Sequence, residues 1–201
     1  MEHVSTIPIC SNALFIYKLN IKNNLVSKFK KEKFGPVKST PAFQIPTFIG
    51  EDFNILKKYK ELDREIHKAA DETLQKMLMV PHIKYRIFSS WLTKVQPKGS
   101  SVSHNHSNSW LSGIYYPKGD PGFSIRFFYD NTNPFYTPPI EYNLLNSTDW
   151  TIFPEDNHLI LFFSQLRHQI MPNESTKDRF SLSFNILPKG EFGADDSGVI
   201  F

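Results

Sequence analysis

The sequence predicts a mainly β chain, a sandwich or double-sheet barrel covered on one side by a single long helix. Three observations carry that expectation. Apolar residues recur at helical spacing over one stretch only, Asp52 to Val80. Past Pro81 the period drops to two, in seven short segments. The intervals QPKGS, PKGDPG, NTNPFYTPP and MPNEST between those segments have turn composition.

Taken in order, Leu14 to Leu19 (LFIYKL) reads as a first strand. KFKKEK, 28 to 33, reads as a solvated face, and KFGPVKSTPAFQIPTF, 33 to 48, with three prolines, as an ordered loop. The helix presents Phe53, Leu56, Tyr59, Leu62, Ile66, Ala69, Thr73, Leu74 and Met77 as its core-facing stripe, and Pro81 stops it. The strands follow at 85–88, 91–95, 110–116, 123–129, 150–153, 159–163 and 180–187. NTNPFYTPPIEYNLLN is long for a strand connection and is expected to act as a lid. One domain over 1–201 is expected, with a strand, loop and supporting helix in 1–83, the β core in 84–190 and a Gly- and Asp-rich tail in 191–201.

Composition narrows the function classes. The chain has 201 residues, enough for a full core, and its 18 Phe, 8 Tyr and 3 Trp supply bulk for it. A net charge of +3 with intermixed signs, and no cluster of arginine and lysine, argues against a nucleic-acid partner. Cys10 is the single cysteine, so neither an intrachain disulfide nor a thiolate metal cluster is possible. The N-terminal stretch carries Glu2 and no basic region ahead of a long apolar run, so no signal peptide is expected. No run is long enough to span a membrane, and the expected compartment is the cytoplasm.

The stretch SHNHSNSWLSGIYYP, 103 to 117, holds two histidines one residue apart. In a strand, residues i and i+2 point to the same side, so His104 and His106 reach one ion together if they begin the strand that becomes Trp110 to Tyr116. His168 follows the apolar segment Leu159 to Phe163, where a chain returning across the barrel presents a third imidazole. Imidazoles on one face, with positions left open, are what a mononuclear iron site requires. Arg179 then opens the strand RFSLSFNIL; an inward arginine is costly unless paired, and a carboxylate ligand held in bidentate fashion is its natural partner. The competing reading is a serine-rich surface loop that merely contains His-x-His. His3, His67, His82 and His158 have no such pattern, and Trp91, Trp110 and Phe127 are first of all core residues that double as pocket walls.

The run WLTKVQPKGSSVSHNHSNSWLSGIYYP, a late histidine, and then RFSLSFNILPKGEFG resemble the 2-oxoglutarate and iron(II)-dependent oxygenases of marine bacteria and their phages, a group distantly similar to prolyl hydroxylases. The likeness runs from about Ser89 to Gly193, and HNHSNSWLSGIYY is its specific part. It implies a double-stranded β-helix, or jelly roll, with iron(II) near one open end. By the same resemblance His104 matches the first histidine of the usual His-x-Asp/Glu pair and His168 the distal one. Arg179, helped by Ser181, matches the basic residue that grips the far carboxylate of 2-oxoglutarate, and Tyr115 or Tyr116 adds a phenol; alternation allows only one of the two to face inward. His106 stands where the family's carboxylate is expected. The third ligand is then His106, a carboxylate such as Asp130, or water, with His104, His106 and His168 the favoured set.

The implied reaction consumes 2-oxoglutarate and O2, releases succinate and CO2, and hydroxylates a peptidyl (prolyl-like) or small-molecule substrate. It would take place in the cytoplasm, that of the host if the chain is phage-encoded. Two alternatives stay open: a three-histidine cupin-type metalloenzyme that does not use 2-oxoglutarate, and a non-catalytic jelly-roll binding module.

Overall fold

The computed structural model describes residues 4–5, 12–22, 25–37, 46–129, 138–143 and 145–200. Its main elements are β1 (Leu14–Lys18), α1 (Leu25–Phe29), β2 (Phe34–Pro36), β3 (Thr47–Gly50), α2 (Lys60–Glu72), β4 (Lys84–Val95), β5 (Leu111–Tyr116), β6 (Ile125–Phe128), β7 (Asp149–Ile152), β8 (His158–Phe163), β9 (His168–Ile170) and β10 (Arg179–Lys189). Seven strands form one antiparallel sheet in the order β1-β8-β5-β10-β4-β3-β2. Three more, β7-β6-β9, form a smaller antiparallel sheet. The two sheets pack face to face as a double-stranded β-helix, the expected class.

Two apolar layers result, and alternation sorts every central strand between them. On β10, Phe180, Leu182, Phe184 and Ile186 join Leu62, Ile66, Ala70 and Leu74 beneath α2. Leu111 and Tyr115 on β5, and Leu159 and Leu161 on β8, lie on the same side. The other face carries Ile114, Tyr116, Ile160 and Phe162, packed on Ile125 and Phe127 of the small sheet. Covered on both sides, β10 is buried from Arg179 through Ile186. Its inward positions are Arg179, Ser181, Ser183 and Asn185, a polar row inside the barrel.

The structure departs from the sequence expectation in several places. The proline-rich stretch 33–48 is not simply a loop: β2 and β3 pair with each other, and β3 joins β4. Pro36 sits on the edge strand, where a missing N–H breaks no ladder. The helical stretch is shorter and broken, with a 3-10 turn at Ile55–Lys58 before α2 and a π turn at Thr73–Met77 after it. Here the Thr73 hydroxyl bonds back to the Ala69 carbonyl while Tyr17 holds its Oγ1. Phe53 and Met77, counted on the core stripe, are exposed at these ends. Segments 85–88 and 91–95 are one strand, β4, with a bulge opposite Asn185/Ile186. KFKKEK is not wholly solvated, because Phe29 at the end of α1 is fully buried. The tail adds a small hairpin of β11 (Glu191–Phe192) and β12 (Val199–Ile200). Residues 131–137 and 144 of the expected lid, 131–146, lie outside the described residues.

Candidate metal centre

His104 and His168 face each other across a backbone bridge. The His104 N–H donates to the His168 carbonyl at 2.9 Å, and the His168 N–H to that of His104 at 2.8 Å. β9 holds His168 in place, opposite Phe127 of β6. His106 is tied separately, its N–H donating to the Ser164 carbonyl at the end of β8. His104 and His106 precede β5 rather than opening it, so the small-sheet bridge, not strand alternation, brings them together. One nitrogen from each of the three imidazoles lies within 4.8 Å of the others.

Which nitrogen faces the centre follows from hydrogen bonding. In every case Nδ1 meets an oxygen acceptor: the Val102 carbonyl for His104, Asn185 Oδ1 for His106 and the Leu166 carbonyl for His168, at 2.9, 2.9 and 3.0 Å. Each Nδ1 therefore carries the proton and each Nε2 presents a lone pair, the arrangement metal-binding histidines use. Burial holds His106 down to about 4 and His168 down to about 3, with the neighbouring His104 adding to both shifts. Those two imidazoles stay neutral, ready to ligate, at any physiological pH. Three neutral nitrogen donors suit iron and other transition metals and not magnesium or calcium, so the donor set fits iron(II).

Aromatic rings wall the centre. Trp91 stacks on His106 at 5.7 Å, and Phe162 and Phe127 contact His168 at 4.8 and 5.8 Å. Trp110 instead packs on the layer beneath α2. Asp130 lies outside the described residues.

Arg179 is fully buried at the start of β10. Its Nη1 donates to the Ser124 carbonyl at 3.0 Å and its Nη2 to the Tyr116 hydroxyl at 2.8 Å, and the guanidinium lies 4.8 Å from the Tyr116 ring centre. Nε has no partner. Among the described residues no carboxylate pairs with this cation. The choice between the two tyrosines is decided here. Tyr116 faces inward, whereas Tyr115 lies in the layer beneath α2 and donates to Asn157 at 2.6 Å, so Tyr115 is removed from the expected pocket residues. Burial raises the Tyr116 phenol, which stays protonated beside the arginine. Ser181 occupies the next inward position, 1% exposed.

Sequence reasoning missed Asn185, Ser112 and Ser164. Asn185 Oδ1 accepts from His106 and from Ser112 Oγ, at 2.9 and 2.8 Å, and Ser112 Oγ lies 2.8 Å from Ser164 Oγ. The signal was present in RFSLSFNIL, where small polar residues alternate with large apolar ones on a strand buried on both faces.

Comparison with known proteins agrees with this geometry. The sequence model of the 2OG-Fe(II) oxygenase family matches residues 89–185. No curated protein sequence matches the chain. Among solved structures, a prolyl hydroxylase from Trichoplax adhaerens, in complex with a hypoxia inducible factor peptide fragment, superposes with a TM-score of 0.61 at 11% identity, over 88% of this chain and 84% of its own. A prolyl-4-hydroxylase from Pseudomonas putida gives 0.58 at 12%, over 87% and 92%. HygX from Streptomyces hygroscopicus, with nickel, 2-oxoglutarate and hygromycin B bound, gives 0.57 at 8%, over 87% and 82%. At such identities the superpositions speak for the fold, and the family match spans the three histidines and the arginine. Over residues 89–185 the chain is therefore similar to the 2OG-Fe(II) oxygenase family, and its fold is that of the superposed structures.

Proposed function

We propose that the chain holds iron(II) through Nε2 of His104, His106 and His168, and the far carboxylate of 2-oxoglutarate at Arg179, with Tyr116 and Ser181 beside it. The observation that carries the cosubstrate is Arg179. A guanidinium buried without a carboxylate, with one N–H unpaired, is strongly unfavourable unless an anion completes it. It lies on the inward row of β10 that ends at Asn185, the partner of His106, and only Ser181 and Ser183 stand between them on that face. Small side chains there leave room for a dicarboxylate, and the Tyr116 hydroxyl and Arg179 fix its far end.

Iron(II), when bound, couples decarboxylation of 2-oxoglutarate to succinate and CO2 with hydroxylation of a substrate C–H by O2. The protein's part is positioning. The histidine Nδ1–H groups stay on their acceptors, Arg179 orients the cosubstrate, and Phe127, Phe162 and Trp91 keep the centre dry. The likeness to prolyl hydroxylases makes a prolyl peptide the first substrate class, with a small molecule, such as the hygromycin B bound in HygX, the second.

The test is an anaerobic titration with iron(II) and 2-oxoglutarate, followed by succinate detection in air. Arg179→Ala should keep iron affinity while weakening 2-oxoglutarate roughly a hundredfold or more, as expected from truncating one side of a buried charge pair, about 3–5 kcal/mol. Unchanged 2-oxoglutarate affinity in that variant would instead favour the three-histidine enzyme without this cosubstrate.

A further inference from the structure

Resting on that reading, we infer that Asn185 is the positioning residue that makes His106 a metal donor in place of a carboxylate. His106 differs from its two companions in its anchor. His104 and His168 each donate Nδ1–H to a backbone carbonyl two residues earlier in the chain, an oxygen that cannot change its role. His106 donates to a side-chain amide, whose two ends have opposite roles. With Oδ1 toward the ring, Nδ1 keeps its proton and Nε2 is a lone pair. With the amide reversed, an N–H would face Nδ1, the proton would move to Nε2, and His106 could not ligate.

The surroundings fix the productive orientation. Ser112, the register partner of Asn185 on β5, donates its Oγ–H to the same Oδ1 at 2.8 Å and lies against Ser164 Oγ on its other side. Nδ2 points to Ser89 Oγ, 3.4 Å away across β4. Ser164 closes the circuit, because its carbonyl accepts the His106 backbone N–H. One polar circuit thus sets both the backbone and the ring of His106. The β4 bulge falls beside Asn185, where a ladder irregularity re-aims a side chain. A neutral acceptor also leaves three neutral donors, the set that converges among the described residues.

The experiment uses the full chain loaded with cobalt(II) as a paramagnetic probe, read by titration and by the shifted, solvent-exchangeable imidazole N–H signals in proton NMR. Wild type should show three such signals, one of them missing in His106→Gln. Asn185→Ala should bind cobalt(II) 10- to 100-fold more weakly, the usual scale for losing a group that orients a ligand, and lose that same signal to exchange. Asn185→Asp keeps the acceptor, so affinity should be retained or improved while the His106 signal moves, its acceptor now being an anion. That second variant is decisive if the alanine variant does not fold. An unmoved His106 signal in Asn185→Asp, or wild-type affinity with all three signals in Asn185→Ala, overturns the assignment. A wild-type chain that takes up no cobalt(II) would instead strike the metal reading itself.

Discussion

His168 is 2% exposed and His106 is part-buried, and both are held neutral far below the ordinary imidazole range by the same burial. Two predictions follow at the scale of single residues. His168→Ala, and equally His104→Ala, should abolish most iron(II) affinity, measured by anaerobic titration. Full occupancy in either variant would remove that residue from the centre. The second concerns the metal-free protein. The unfolded chain takes up protons on both imidazoles as pH falls below about 6.5, whereas the folded chain resists until about 4 and about 3. Stability is therefore complete above pH 6.5 and falls through the window from there to about 4, each histidine contributing roughly 1.4 kcal/mol per pH unit. Thermal melts of metal-free protein between pH 7.5 and 5 should show this slope, and His168→Gln should make it shallower.

At the scale of elements, β5 shows how closely the two layers constrain a strand. Gly113 pairs with Phe184 on β10, and the Phe184 ring lies over it on the side of α2. A Cβ at 113 would meet that ring at 2.2 Å, and Phe184 is fully buried with nowhere to turn. Gly113→Ala should destabilise the chain by about 1–3 kcal/mol, as overpacking in a filled core does. Denaturant melts would measure it, and an unchanged midpoint would show that the ring moves freely. The neighbours Ser112 and Ile114 face the other way, toward Asn185 and the small sheet. One residue of slip would exchange the two sets and lose the site.

Over the whole molecule, α2 and the metal centre lie on opposite faces of the large sheet. Leu62 and Ile66 are completely buried under α2, so Leu62→Ala should cost about 2–5 kcal/mol of stability. Because the strands between are otherwise intact, cobalt(II) affinity of the folded variant at low temperature should match wild type. A large loss of affinity with the melt unchanged would contradict that separation. No helix among the described residues is long and apolar enough to cross a membrane.

Periodicity alone determined the β-rich class, the amphipathic centre of α2 and most strand positions, because burial on a face writes itself into spacing. The His-x-His pair, His168 and Arg179 were legible as residue types whose burial demands partners. The short strands β2 and β3 were not, since β2 pairs with β3 and β3 with β4 despite the prolines in and around them. Nor was β9, whose three residues are a strand only because β6 lies beside them. Tyr116 over Tyr115, and the convergence of His104 and His106 on His168, depended on register and on a backbone bridge between segments far apart in sequence. The role of Asn185 depended on its neighbours. A strand pattern gives the side on which a residue lies, and only the packed sheets decide which group its side chain meets there.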